Sequence, residues 1–268
     1  MSRIDTYNLL DKLNIYSEDL FEVFYYLENS KEYQENVEES LRQYFYHIYL
    51  KCKRNYKAIK ILINLDDEDL RNGYVEATPL LRTLIESYFH LCYVTNSLNK
   101  EDVIRSYDLL NKYQLKQMLN NKTGYKIVFQ GDADKQMLNE IKQNVNKVKE
   151  EDIRLFKSVY QLAKTTNNLD IYNGIYQKFN SYVHYNPTTF ISYGTMEGED
   201  SFIFGDMQHQ PERECEILYY MIEVALKILI TTMNFLRIDS VDNWVFELFT
   251  EWENILNEYS SVDLVNYL

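Results

Sequence analysis

From Ser30 onward the chain sets Tyr33, Val37, Leu41, Tyr44, Phe45, Ile48, Cys52, Tyr56, Ile59 and Ile63 three or four residues apart. That spacing keeps one face of an α-helix apolar, and it predicts a helix of about nine turns with Ser30 as its N-cap. A shorter helix, about residues 18–28, precedes it. Past the acidic turn Asp66-Asp67-Glu68-Asp69, a second long helix runs to about Thr95 on the stripe Leu80, Leu81, Leu84, Ile85, Tyr88, Leu91 and Cys92, with Pro79 either starting its main body or kinking it. Residues 100–120 and 133–165 read as two or three polar helices, and Tyr125–Phe129 between them is short and β-prone. A further helix over about Leu169 to Tyr185 stops at Asn186-Pro187. Two β-prone runs, TTFISYG and SFIFGD, flank TMEGED and predict a small hairpin near 188–206. Helices over about Pro211 to Leu236 and Val241 to Tyr259 complete the chain, Ser240 being a candidate cap for the last. The expected fold is all-α, a bundle of about eight helices with a hairpin insertion. No internal repeat and no Pro-, Gly- or Ser-rich linker interrupts it, so one domain over 1–268 is the simplest organisation.

Composition agrees with that pattern. The 268 residues include only 7 Gly and 3 Pro, too few turn formers for a barrel or sandwich, while 46% hydrophobic and 26% charged residues exclude disorder. Ile217 to Leu236 is the most membrane-like stretch, but Glu223 and Lys227 interrupt it four residues apart, which favours a core helix carrying an ion pair. No membrane association is expected. Three cysteines, Cys52, Cys92 and Cys215, lie far apart with no metal-ligand spacing, so neither a disulfide framework nor a metal site is expected, and a reduced cytoplasm is the expected compartment. The start of the chain lacks the basic and apolar regions of a secretory signal.

The net charge of −13 argues against a protein that coats nucleic acid with its whole surface. Its distribution changes that picture. Residues 1–50 hold 4 basic and 10 acidic side chains, residues 197–268 hold 3 and 15, but residues 51–196 hold 21 and 16. Within this basic middle, Lys53, Lys57 and Lys60 share one helical face. Two readings stay open: a solvated or intramolecularly matched face, paired with the acidic C-terminal helices, or a strip that contacts RNA phosphates.

No Gly-rich phosphate loop, nucleophile elbow or zinc-protease motif is present, and no cofactor is expected. His47 reads as a packing or helix-surface residue. His90, four residues after Glu86, suits a helical hydrogen bond, and His209 sits in a loop where exposure is expected. His184 stands out, because it ends a helix in Phe179-Asn180-Ser181-Tyr182-Val183-His184, dense in hydrogen-bonding side chains. An imidazole there is either a general acid or base or a helix-capping residue. Asn180 and Tyr182 beside it are candidate binding residues. Arg82 and Glu86, at i,i+4 on an apolar helix, form either a structural clamp or part of a polar pocket.

These two segments carry a resemblance. Leu80-Leu81-Arg82-Thr83-Leu84-Ile85-Glu86 and the later Tyr176 to His184 stretch with Asn186-Pro187 resemble the marks of an uncharacterised bacterial family of all-helical proteins, over about residues 70–190, flanked by helices in 1–65 and 211–259. That family is similar to the HEPN helical bundles, many of them RNA-cleaving toxins or phage-defence effectors with an Arg-x4–6-His motif. The resemblance implies a metal-independent mechanism on the ribose 2′-OH, and a homodimer that pairs its active faces. This chain has Lys178, not Arg, six residues before His184, and Lys lacks the bidentate fork. Two functions therefore follow as expectations. The first is a non-catalytic HEPN-like binding or interaction module, recognising a protein partner or a small ligand. The alternative is a metal-independent endoribonuclease using His184 with Arg82 or Lys178 and oriented by Glu86.

Overall fold

A computed structural model describes residues 3–65, 72–120, 132–182, 192–197, 201–205 and 209–260. It is all-α, as expected: among the described residues, strands are confined to one antiparallel hairpin. The chain groups into two compact units, one of Met1–Thr95 with Asp170–Leu268 and one of Asn96–Leu169.

In the larger unit, α1 (Arg3–Glu28) packs along α9 (Pro211–Leu236) and also meets α3 (Glu39–Ile63) and α10 (Asn243–Ser260). The shared core is built from Leu13, Leu20, Phe24 and Leu27 of α1, Phe45 and Ile59 of α3, and Leu218, Met221 and Ile228 of α9. Buried tyrosines take part because each phenol finds an acceptor: Tyr49 donates to the Phe24 carbonyl (3.0 Å), Tyr56 to Ser17 (2.9 Å) and Tyr16 to Leu248 (3.1 Å). The helix α4 (Tyr74–Asn96) contains Pro79 five residues after its start, where the missing N–H forfeits a single ladder bond. Glu223 and Lys227 pair at 3.9 Å within α9 as their spacing predicts. No helix among the described residues is long and apolar enough to cross a membrane.

Several boundaries differ from the sequence-based expectation. The first helix begins at Arg3, not near residue 18, and the nine-turn helix is interrupted. Ser30 does accept from the Tyr33 N–H at 3.1 Å, but it caps the short α2 (Lys31–Glu35), and α3 starts only at Glu39. The break has a tertiary cause: Asn36 turns its amide onto the Leu236 carbonyl (2.6 Å) at the end of α9, while Val37 still buries in the core and so preserves the apolar spacing. The expected helix over 169–185 is a short α8 (Leu169–Ile171) running into a π-turn (Tyr172–Tyr176) and a 3-10 turn (Asn180–Tyr182). Residues 183–191 lie outside the described residues. The last helix begins at Asn243, three residues after Ser240.

The hairpin pairs β1 (Gly194–Glu197) with β2 (Ser201–Phe204), Thr195 opposite Ile203, so Thr195 to Glu197 of its first strand lie in the segment expected to form the turn. Gly194 sets that register, because a Cβ there would strike the Ile203 carbonyl and the Phe202 ring.

In the smaller unit, α5 (Lys100–Asn120) packs on α6 (Asp132–Asn146) and on a 3-10 segment (Glu150–Phe156), which also meets α7 (Val159–Thr165). The Tyr107 and Phe156 rings lie 5.1 Å apart, and the Lys116 ammonium donates to the Val148 carbonyl at 2.7 Å. The β-prone 125–129 run lies outside the described residues.

Candidate functional site

The two motif segments meet. The Arg82 guanidinium of α4 lies over the Tyr176 ring, 4.2 Å from its centroid, so the helix of the first motif and the π-turn of the second are joined by a cation–π contact. Burial pushes the Tyr176 phenol up, Arg82 opposes that shift and Glu86 adds to it, which places all three in one electrostatic neighbourhood. Nε of Arg82 is buried with no hydrogen-bond partner among the described residues. His184 lies outside the described residues, and so does the Ser181 side chain.

Lys178 follows the π-turn and reaches α9, where its ammonium is bonded to Glu216. Glu216 is nearly buried, at 4% side-chain exposure, and its second oxygen accepts from the Arg213 guanidinium at 3.0 Å, while Arg213 itself is half-exposed (46%). Burial opposes the Arg213 charge, but its bond to Glu216 and that carboxylate's field outweigh it and raise its pKa. One carboxylate thus carries two cations. They border a cavity of about 80 Å³ with Tyr74, Thr78, Tyr182 and the apolar Phe179 and Ile217. The Tyr74 hydroxyl lies 3.1 Å from Ser192 Oγ and 3.2 Å from Gln210 Oε1, which ties the root of the hairpin and the start of α9 to the cavity wall. Of the expected site residues, Lys178 and Tyr182 line this cavity, whereas Asn180 is exposed.

The basic face of α3 is matched from within, by α1 and not by the acidic C-terminal helices. Lys53 bonds to Glu28, Lys60 to Glu18, and Lys53 also sits 3.5 Å from the Tyr25 ring centroid. Lys57 is exposed, its ammonium 5.7 Å from the Phe21 ring centroid.

The histidines separate clearly. His47 is exposed. Burial, with Lys51 and His47 adding, lowers His90 to about 4, so it is neutral at pH 7 and answers to α3 more than to Glu86. His209, expected to be an exposed loop residue, is held on both nitrogens: Nε2 lies 2.7 Å from Glu214 and Nδ1 3.2 Å from the Tyr7 hydroxyl. Burial raises the Glu214 carboxyl, and its bond to His209 lowers it in part. The three cysteines are buried thiols, Cys215 being pushed up to about 12 by burial and by Glu214 and Glu212. Among the described residues no group of three or more His, Cys, Asp or Glu is placed to hold a metal ion.

Arg213 and Glu216 escaped sequence reasoning. Their signal was the i,i+3 Arg-x-x-Glu pair just inside Pro211, at the start of a helix whose later apolar run drew the reading toward core packing.

Residues 42–202 match the Family of unknown function (DUF5677), and the chain belongs to that family. The matched region contains Arg82, Tyr176, Lys178 and Tyr182, whereas Arg213 and Glu216 lie beyond it. No curated protein and no solved structure matches the chain.

Proposed function

We propose that this chain is a non-catalytic, HEPN-like helical binding module whose ligand site is the cavity bordered by α4, the 178–182 turn and α9. The observation that carries the reading is the double clamp of Lys178 and Arg213 on the nearly buried Glu216 at the cavity edge. A cation held this way is pre-organised for recognition, because its position is set before a ligand arrives. It is poorly suited to follow a phosphate through a reaction, and Lys178 is the residue that stands where the nuclease pattern would place Arg.

The endoribonuclease alternative draws on one observation, the buried Nε–H of Arg82 with no partner among the described residues. A donor left in that state costs about 1–3 kcal/mol, a cost a phosphate oxygen would relieve.

One assay separates the two readings. Purified wild type and His184→Ala are incubated with structured and single-stranded RNA, and both are expressed in a host to score toxicity. The binding-module reading expects neither protein to cleave RNA, with His184→Ala differing at most in melting temperature. Cleavage by the wild type that His184→Ala abolishes overturns it. The dimer that goes with the HEPN likeness is checked by light scattering at micromolar concentration, where a monomer would remove it.

A further inference from the structure

We infer that the cavity takes a single phosphate group, as the hydrogen-phosphate form of an inorganic or monoester ligand; the inference rests on the binding-module reading above.

The first argument is charge. Lys178 and Arg213 contribute two positive charges at the cavity and Glu216 one negative, leaving one positive charge in excess beside a nearly buried carboxylate. The groups that act electrostatically on Arg213 are Glu216, Tyr182 and Tyr74, and Glu214, whose charge reaches Tyr74 on the same wall, is itself held by His209. The positive end of the 26-residue α9 adds to it, since Arg213 and Glu216 sit in its first two turns.

Donor geometry agrees. Arg213 bonds Glu216 through Nη1, and a guanidinium has five N–H donors in a planar fork suited to two oxygens of one oxyanion. Its half exposure gives an incoming ion a path to it. The Tyr182 phenol, on the cavity wall, supplies a hydroxyl from the opposite element.

Size limits the ligand to a group. About 80 Å³ is far below the ~300–1,000 Å³ of sites that enclose a whole drug-sized molecule. A nucleoside or sugar attached to the phosphate would therefore stay outside.

Glu216 selects within the oxyanions. Its Oε2 accepts from Arg213, whereas Oε1, ion-paired with Lys178, is buried with no hydrogen-bond partner among the described residues, so the carboxylate retains acceptor capacity at the cavity edge. An oxyanion that carries its own O–H can donate to it. Inorganic phosphate carries such an O–H at neutral pH, and a phosphomonoester, whose second pKa is about 6, can donate through its monoanion, whereas sulfate has no proton to offer and meets repulsion.

The test is isothermal titration of the full chain with inorganic phosphate, glycerol phosphate and sulfate at matched ionic strength in chloride, with Arg213→Gln as the variant. Phosphate or its monoester is expected to bind, with sulfate at least about tenfold weaker and Arg213→Gln losing at least about tenfold, the scale of one charge-assisted bond. Preference for glycerol phosphate over inorganic phosphate identifies a monoester ligand, and the reverse a free ion. Should Arg213→Gln fail to fold, wild-type amide shifts decide: phosphate-induced changes at Thr78, Lys178, Tyr182 and Arg213 support the site, and changes elsewhere or none overturn it. Binding no better than chloride, or sulfate equal to phosphate, also overturns it. Those outcomes leave the RNA assay untouched, so loss of the phosphate assignment and loss of the binding-module reading are told apart.

Discussion

Replacing Glu216 by Gln removes the one anion that Lys178 and Arg213 share and leaves two cations facing each other beside a cavity. Breaking a buried pair on one side costs on the order of 3 kcal/mol, so Glu216→Gln is expected to lower the urea midpoint markedly. Arg213→Gln is expected to cost no more than about 1 kcal/mol, because solvent already screens that half-exposed side chain. The order of the two losses checks the assignment of Glu216 as the buried hub. His90 supplies a pH prediction. Its pKa falls from 6.5 to about 4 on folding, so the unfolded chain takes up the proton first. Its contribution is full above about pH 6.5 and is lost as pH falls toward about 4, by on the order of 2–3 kcal/mol. The carboxyls of the buried Glu214 and the part-buried Glu223 are raised and act with the opposite sign, gaining stability as they protonate. Chemical denaturation of wild type and His90→Gln across pH 4–7 isolates the histidine, because the variant should lack its share of the slope. The His90 and Lys178 couplings were not legible from residue spacing, since His90 answers to Lys51 and His47 on another helix and Glu216 to a lysine 38 positions away.

At the scale of elements, apolar periodicity found α3, α4 and α9, with the bounds of α9 in place, but misjudged where α1 and α3 start. Period reports which face is buried, and Val37 buries on the same core whether or not the helix runs through it. The interruption comes from the Asn36 amide reaching the Leu236 carbonyl, 200 residues on in sequence. Asn36→Ala is expected to lose about 1 kcal/mol, with faster hydrogen exchange in the last turn of α9. A similar logic applies to the hairpin. β-propensity pointed to residues 188–194 because they are rich in Phe, Ile and Tyr; among the described residues the β1 ladder starts at Gly194, where only a residue without Cβ fits against Phe202 and the Ile203 carbonyl. Gly205, at φ 87°, adds a bond at this same end by donating to the Tyr193 carbonyl at 2.9 Å. Gly194→Ala should therefore open the hairpin, read as loss of amide protection at Thr195 and Ile203 while the far-ultraviolet helical signal persists.

Across the larger unit, the tyrosine-rich composition resolves into interhelical staples. Tyr16, Tyr49 and Tyr56 bury their rings and donate to backbone carbonyls of neighbouring helices, so each Phe replacement keeps the packing and deletes one hydrogen bond. Tyr49→Phe and Tyr56→Phe are expected to cost about 1 kcal/mol each, and Tyr25→Phe, with its ring 39% exposed, much less; thermal unfolding of the three variants checks the ranking. Apolar spacing and the scarcity of Gly and Pro were enough to determine an all-α chain with a small hairpin, because helical period and turn chemistry are local properties of the backbone. The Arg82 and Tyr176 segments were likewise visible as motifs. What the tertiary structure alone decided is which charges meet. Lys53 and Lys60 of α3 face Glu28 and Glu18 of α1, and Lys178 meets Glu216 of α9. Charge pairing depends on which helix faces are brought together by core packing, and that is a long-range outcome no local pattern contains.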